Sequence, residues 1–236
     1  MSEEVRVSRA AEFYSVESEF DKKLIEYRFR TLEPYLTGKS CLELGPGSGY
    51  MTSMLSDSFP TLTVVEGSQQ LLDELPDIPN VRKVCSLFED FEPDEKFDSV
   101  VLEHVLEHVD EPLELLSRAK LWLKESGRLF VGVPNANSLH RLVAEEMGLL
   151  SSKFDLNERD INFGHRRVYD LKSLSESINA VGLKIVKTEG VFLKPLSNGQ
   201  INEHWSVEMW DGFYRVGRHY PELCAELLCV CEISRV

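Results

Sequence analysis

Residues Cys41–Tyr50 read Cys-Leu-Glu-Leu-Gly-Pro-Gly-Ser-Gly-Tyr, a short apolar run that carries one acid and then three glycines at alternate positions. The apolar run predicts a buried strand. Gly45, Gly47 and Gly49 predict a tight loop after it, because residues without Cβ atoms can adopt positive φ and let a ligand come close to the backbone. The dinucleotide-binding fingerprint places its glycines first, third and sixth, and the sixth place here is Tyr50. Glu43, two residues before the first glycine, would repel a pyrophosphate but suits a ligand that carries an ammonium and a sulfonium.

The order of elements around this loop predicts an α/β fold. Strand-like runs at 40–44, 61–66, 81–85, 98–103 and 128–133 alternate with helix candidates near 50–58, 68–75 and 111–123, the pattern of a parallel sheet with helices on both faces. Asp110 is the expected cap of the third helix, Pro112 lies in its first turn, and Gly127 is its expected terminator. A helix over 171–181 and strands over 183–191 and 226–233 bring the strand count to seven. The chain of 236 residues is read as one domain. Its 42% hydrophobic and 28% charged residues are ordinary for a globular protein. The sequence contains no run of roughly 20 apolar residues and begins without a signal-peptide core, so a cytoplasmic location is expected. Cys41, Cys85, Cys224, Cys229 and Cys231 fall mostly in apolar runs, where free thiols act as small hydrophobes.

The three-glycine stretch resembles motif I of the class I S-adenosylmethionine-dependent methyltransferases, acid-x-Gly-x-Gly-x-Gly. S-adenosylmethionine carries both the ammonium and the sulfonium. Several features downstream support the resemblance. Thr61–Val65 ends at Glu66-Gly67, roughly 20 residues past the first glycine, where a nucleoside-binding acid sits in such folds; Glu66 is the expected ribose ligand. Related methyltransferases usually show an Asp-Ala pair after the third strand. Here Leu87 takes the place of that Asp, so the adenine contact passes to backbone groups and the Phe88 ring. Lys96–Val109, with Phe97-Asp98 and Leu102-Glu103-His104, resembles the fourth strand of the family. The implied architecture is a Rossmann-like, seven-stranded, mostly parallel sheet whose last strand inserts antiparallel between the fifth and sixth. The implied donor site comprises Glu43, Gly45, Gly47, Gly49, Glu66, Gly67, Leu87, Phe88 and Glu103.

Around the core (38–133) and the C-terminal half of the sheet (168–236) lie two further segments. Residues 1–37 carry Phe13, Tyr14, Phe20, Leu24, Ile25, Tyr27 and Phe29 among charges, as expected of a helical cap across the cleft. Residues 134–167 follow the fifth strand's carboxyl end and are assigned to an acceptor lid. In Glu203–Gly217 the residues Trp205, Met209, Trp210, Phe213 and Tyr214 form either a pocket wall or core. Arg159 and His165-Arg166-Arg167 form a basic cluster that is either a phosphate or carboxylate holder or a solvated loop.

Methyl transfer from a sulfonium requires in-line positioning, and a hydroxyl acceptor also benefits from a base. The candidate bases are His104, His108 and, preferred because it lies in the lid, His165. His104 and His108 share a helical face if a helix has begun there. His104-x-x-Glu107-His108 also resembles the Glu-x-x-Glu-His metal motif of ubiquinone-pathway and small-RNA methyltransferases. Its first Glu is replaced by His104, and His165 is the candidate fourth ligand; a divalent metal is therefore considered but not favoured. The segment 164–174 resembles bacterial methyltransferases of glycan and natural-product pathways. The expected reaction is O-methylation of a small molecule such as a sugar, glycan precursor or natural-product intermediate. The expected partner is that acceptor and no membrane, and a homodimer is compatible with the sequence. A net charge of −14 argues against nucleic acid, the substrate of the first alternative, an RNA methyltransferase. A non-catalytic cofactor-binding domain is the second alternative, and a dinucleotide oxidoreductase the third.

Overall fold

The computed structural model describes residues 18–234; Phe13 and Tyr14 lie outside them. The strands are β1 (Ser40–Leu44), β2 (Thr61–Glu66), β3 (Val81–Cys85), β4 (Phe97–Glu103), β5 (Leu123–Pro134), β6 (Leu183–Val191) and β7 (Glu226–Ile233). They form one sheet in the order β3-β2-β1-β4-β5-β7-β6. Pairings from β3 to β5 are parallel, and β7 runs antiparallel to both β5 and β6. The Rossmann-like, mostly parallel architecture expected from the sequence is thus the observed one. Strand order reverses direction between β1 and β4, and the crevice beyond the carboxyl ends at such a switch point is where open α/β sheets bind ligands.

Apolar runs in β1, β4 and β5 are buried on both faces, as helices on each side require. One face packs Leu115, Leu116 and Ala119 of the helix Pro112–Trp122 and Leu174 and Ile178 of Leu171–Ala180 against Leu42, Val100 and Leu129. The other face packs Phe29 and Leu32 of the helix Glu19–Leu32 and Met51 and Leu55 of Tyr50–Ser58 against Cys41, Val101 and Phe130. Ser18 starts Glu19–Leu32 with a capping box, its hydroxyl accepting from the Asp21 N–H.

A third cluster answers the question left open for the C-terminal aromatic stripe. Trp210 and Tyr214, on the helix Val207–Gly217, are buried with Phe20, Tyr27 and Phe192. Tyr27 and Tyr214 stack with ring centroids 4.3 Å apart. Trp210 and Tyr214 are core, Trp205 and Phe213 pack against them partly buried, and Met209 is exposed; burying each large ring contributes roughly 2–3 kcal/mol. Their packing fixes the N-terminal helix to the C-terminal part of the chain.

Two capping expectations are corrected. Gly127 does not end a helix: it lies inside β5, which begins at Leu123. A Cβ at Gly127 would stand 2.9 Å from the Phe97 carbonyl oxygen, so its glycine serves the close approach of β5 to the start of β4. Asp110 is not the cap of the following helix, whose N-cap is Glu111 with no side-chain cap bond. The Asp110 carboxylate is instead engaged by the Arg166 guanidinium.

Candidate active site

The glycine loop adopts the conformation its composition predicts. Gly45, Gly47 and Gly49 have φ of 65°, 52° and 80°, and Gly49 is the N-cap from which Tyr50–Ser58 starts. The Gly45 N–H donates to the Val65 carbonyl at 3.0 Å, tying the loop to β2. A Cβ on Gly45 would lie 3.2 Å from Val105 Cγ2 and 3.7 Å from Phe88 Cζ. The loops after β1, β3 and β4 therefore converge here.

Beside them lies a cleft of about 240 Å³, nucleoside-sized, lined by Glu66, Gly67, Leu87, Phe88, His108 and Val109 among others. Four residues expected on the donor side thus share one cavity. Glu66 is buried, and one carboxylate oxygen accepts from the Ser68 N–H at 2.9 Å; burial raises its pKa. Glu43 is buried at the end of β1, and burial, reinforced by the Glu103 charge, pushes it up to about 7. Glu103 is raised to about 7 by burial as well. Oε2 of Glu43 and Oε1 of Glu103 are shut off from solvent without a hydrogen-bond partner, a state that ordinarily signals a missing ligand or water.

The histidines divide. Residues 104–111 form turns, and the helix starts only at Pro112, so His104 and His108 do not share a helical face. The reason is a tertiary contact: the guanidinium groups of Arg166 and Arg167 donate to the carbonyls of Leu106, His108, Val109 and Asp110, capturing acceptors that a helix would use. Arg166 and Arg167 are thereby committed to shaping this loop. Arg159 pairs with Asp21 of the N-terminal helix at 3.2 Å.

His104 adopts a left-handed φ of 55°. Its Nδ1 lies 3.2 Å from Glu107 and its Nε2 3.4 Å from Glu226. Burial and Arg28 disfavour its imidazolium, but Glu226 and Glu107 outweigh them and hold its pKa at about 9. These two acids favour its imidazolium, and a protonated ring is poorly placed to act as a base. His108, by contrast, is pushed down to about 4, chiefly by burial. Its ring meets that of His165 edge to face, centroids 4.8 Å apart. His165 Nδ1 lies 3.3 Å from Asp160, whose other oxygen holds the buried Arg141 at 3.1 Å. Ligand atoms of Glu107, His108 and His165 all lie within 4.8 Å of one another. His104 is not in that set, so three of the four candidate metal ligands converge.

Sequence reasoning missed Arg28, Glu226, Asp160 and Arg141. Arg28 and Glu226 are 198 residues apart and carry no local signal. Asp160 sits at the third position of a short capping-box helix, Glu158–Asn162; its spacing before His165 was the one available hint.

A family model described as a methyltransferase domain matches residues 17–188. The chain belongs to that family. It is an S-adenosylmethionine-dependent methyltransferase. Among curated proteins, the ubiquinone biosynthesis O-methyltransferase of Coxiella burnetii is 24% identical over 182 residues, 72% of this chain and 75% of that one. Among solved structures, a SAM-dependent methyltransferase from Archaeoglobus fulgidus superposes with a TM-score of 0.60 at 19% identity, covering 89% and 93% of the two chains. The CcbJ methyltransferase from Streptomyces caelestis gives 0.62 at 16% identity, covering 98% of each. The methyltransferase domain's residues fit a cationic nucleoside donor: a loop of three positive-φ glycines, a nucleoside-sized cleft, and unpartnered buried carboxylate oxygens. Among the described residues, no helix is long and apolar enough to cross a membrane.

Proposed function

We propose that the enzyme O-methylates a small molecule, such as a sugar, glycan precursor or natural-product intermediate, in the cytoplasm. S-adenosylmethionine, when bound, supplies an electrophilic methyl group on its sulfonium. Glu66 and Gly67 receive the ribose, Leu87 and Phe88 the adenine, and Glu43, Gly45, Gly47, Gly49 and Glu103 the methionine end. The acceptor enters under residues 134–167, with the N-terminal helix closing the opposite side.

One observation carries the acceptor half of this reading. His165, in the lid, stands against His108 on the wall of the donor cleft and is backed by Asp160. Asp160 is held ionised, its pKa depressed to about 2 because the contacts from His165, the Asn157 N–H and Arg141 outweigh its burial. A carboxylate at one imidazole nitrogen orients the ring and stabilises the imidazolium that forms when the other nitrogen takes the acceptor's proton. The relationship to a ubiquinone-pathway O-methyltransferase supports an oxygen acceptor. The test is calorimetric titration with S-adenosylmethionine and S-adenosylhomocysteine, with Glu66→Ala as control, followed by an acceptor screen. Micromolar donor binding lost in Glu66→Ala is expected; donor binding without turnover on any hydroxyl acceptor would favour a binding domain.

A second reading rests on the convergence of Glu107, His108 and His165. This donor set suits manganese, iron or zinc, which would lower the pKa of a bound hydroxyl. It competes with the ion pair that holds Glu107 to His104. Turnover abolished by a chelator and restored by Mn²⁺ would favour it over a His165 base.

A further inference from the structure

The carboxyl ends of β1 and β4 present two acids on the same face of the sheet. Glu43 pairs in register with Val101, so Glu103, two residues further along, projects to the same side one strand over. That face is covered by the helices Glu19–Leu32 and Tyr50–Ser58. Glu103 is seated by a purpose-built gap: it lies in register with Gly132 of β5, where a Cβ would stand only 2.1–2.3 Å from its carboxylate atoms. Any other residue at 132 would displace that carboxylate. Arg28, His104, Glu107, Glu226 and Glu43 all lie in its electrostatic field. Arg28 and His104 are nevertheless directed at Glu226. Oε1 of Glu103 is left buried without a partner.

We infer that Glu103 faces the donor's sulfonium and makes the site discriminate the charged donor from its neutral thioether product. The inference rests on the donor-site reading above. Glu43 adjoins the glycine loop and takes the ammonium, a group that donor and product share. Neighbouring strands are spaced roughly 4.8 Å apart, comparable to the few ångströms between the ammonium and the sulfur of a methionine chain. A carboxylate one strand beyond Glu43 is therefore placed for the sulfonium. After transfer the sulfur is neutral and this attraction disappears, which favours product release. Both charges meet low-dielectric surroundings, where such an interaction is far stronger than in water.

Calorimetry with S-adenosylmethionine, S-adenosylhomocysteine and sinefungin, which carries an ammonium in place of the methylsulfonium, tests this on wild type, Glu103→Gln and Glu43→Gln. Glu103→Gln should weaken S-adenosylmethionine and sinefungin about tenfold or more while leaving S-adenosylhomocysteine within about twofold. Glu43→Gln should weaken all three together. Gly132→Ala, which pushes the carboxylate aside, should reproduce the Glu103→Gln pattern, and Glu103→Asp should restore part of the preference. A Glu103→Gln protein that keeps the wild-type ratio of donor to product affinity, or that loses both equally, overturns the assignment while leaving the donor site intact. Wild-type protein that binds none of the three probes overturns the donor site and this assignment with it.

Discussion

Arg28 and Glu226 meet through two hydrogen bonds of 2.7 Å, Nε and Nη2 each donating to one carboxylate oxygen. The pair joins the N-terminal helix to the first residue of β7, and Glu226 in turn reaches His104 at the end of β4. The N-terminal helix is thus latched to the turn that follows β4. Removing one partner leaves the other's charge buried, which costs on the order of 3–5 kcal/mol. Glu226→Gln should therefore lower the urea midpoint strongly with little change in the slope of the transition, whereas Arg28→Met combined with Glu226→Leu should recover much of the loss. A double replacement that costs the sum of the two single replacements would show that the pair carries no coupling energy.

Donor affinity should depend on pH through Glu43. Its folded-state pKa is raised to about 7 from the ordinary 4.5, so the stability this group contributes to the unliganded protein is present below about 4.5 and lost as pH rises through about 7. A cationic donor reverses the preference, because it favours the carboxylate and expels the proton. Affinity for S-adenosylmethionine should rise between pH 5 and 7 and level off above, with proton uptake by the buffer visible in the calorimetric heats. Glu43→Gln should remove part of the pH dependence, and the part that Glu103, also raised to about 7, contributes should remain.

Asp160 and His165 should behave as a unit. His165→Ala is expected to reduce kcat by about 10²-fold or more, the usual contribution of a positioned base, with donor affinity unchanged. Asp160→Asn should give a smaller loss of the same kind. Unaltered turnover in His165→Ala would remove the base.

The glycine loop is sensitive to single atoms. Gly49 holds φ of +80°, and an added Cβ would lie 2.7 Å from Leu75 Cδ2. Gly49→Ala should destabilise the fold by roughly 1–2 kcal/mol through the left-handed backbone alone, and should weaken donor binding by moving the start of the helix. Gly47→Val, with φ of 52° at that position, should abolish donor binding. Paired melting and titration experiments read both effects.

Much of this protein was determined locally, where period and turn chemistry act within a few residues. β2, β3, β6 and β7 fall where their β-branched and apolar runs predict, and the helix Tyr50–Ser58 starts where the third glycine ends the loop. Glu66, Gly67, Leu87 and Phe88 share a cavity because each ends or follows a parallel strand, and parallel strands deliver their carboxyl ends to one edge. What only tertiary structure decided involves residues whose partners are remote. Arg166 and Arg167 read in the sequence as either an anion site or a solvated loop, but their donors go to the carbonyls of the 104–111 turn. His104 looks like a base in the sequence, but Glu226, arriving from the other end of the chain, favours its protonated form. Gly127 looks like a helix stop but serves a strand crossing. Charge and hydrogen bonding at a buried site depend on which groups folding brings within a few ångströms, and no periodicity in the sequence encodes that.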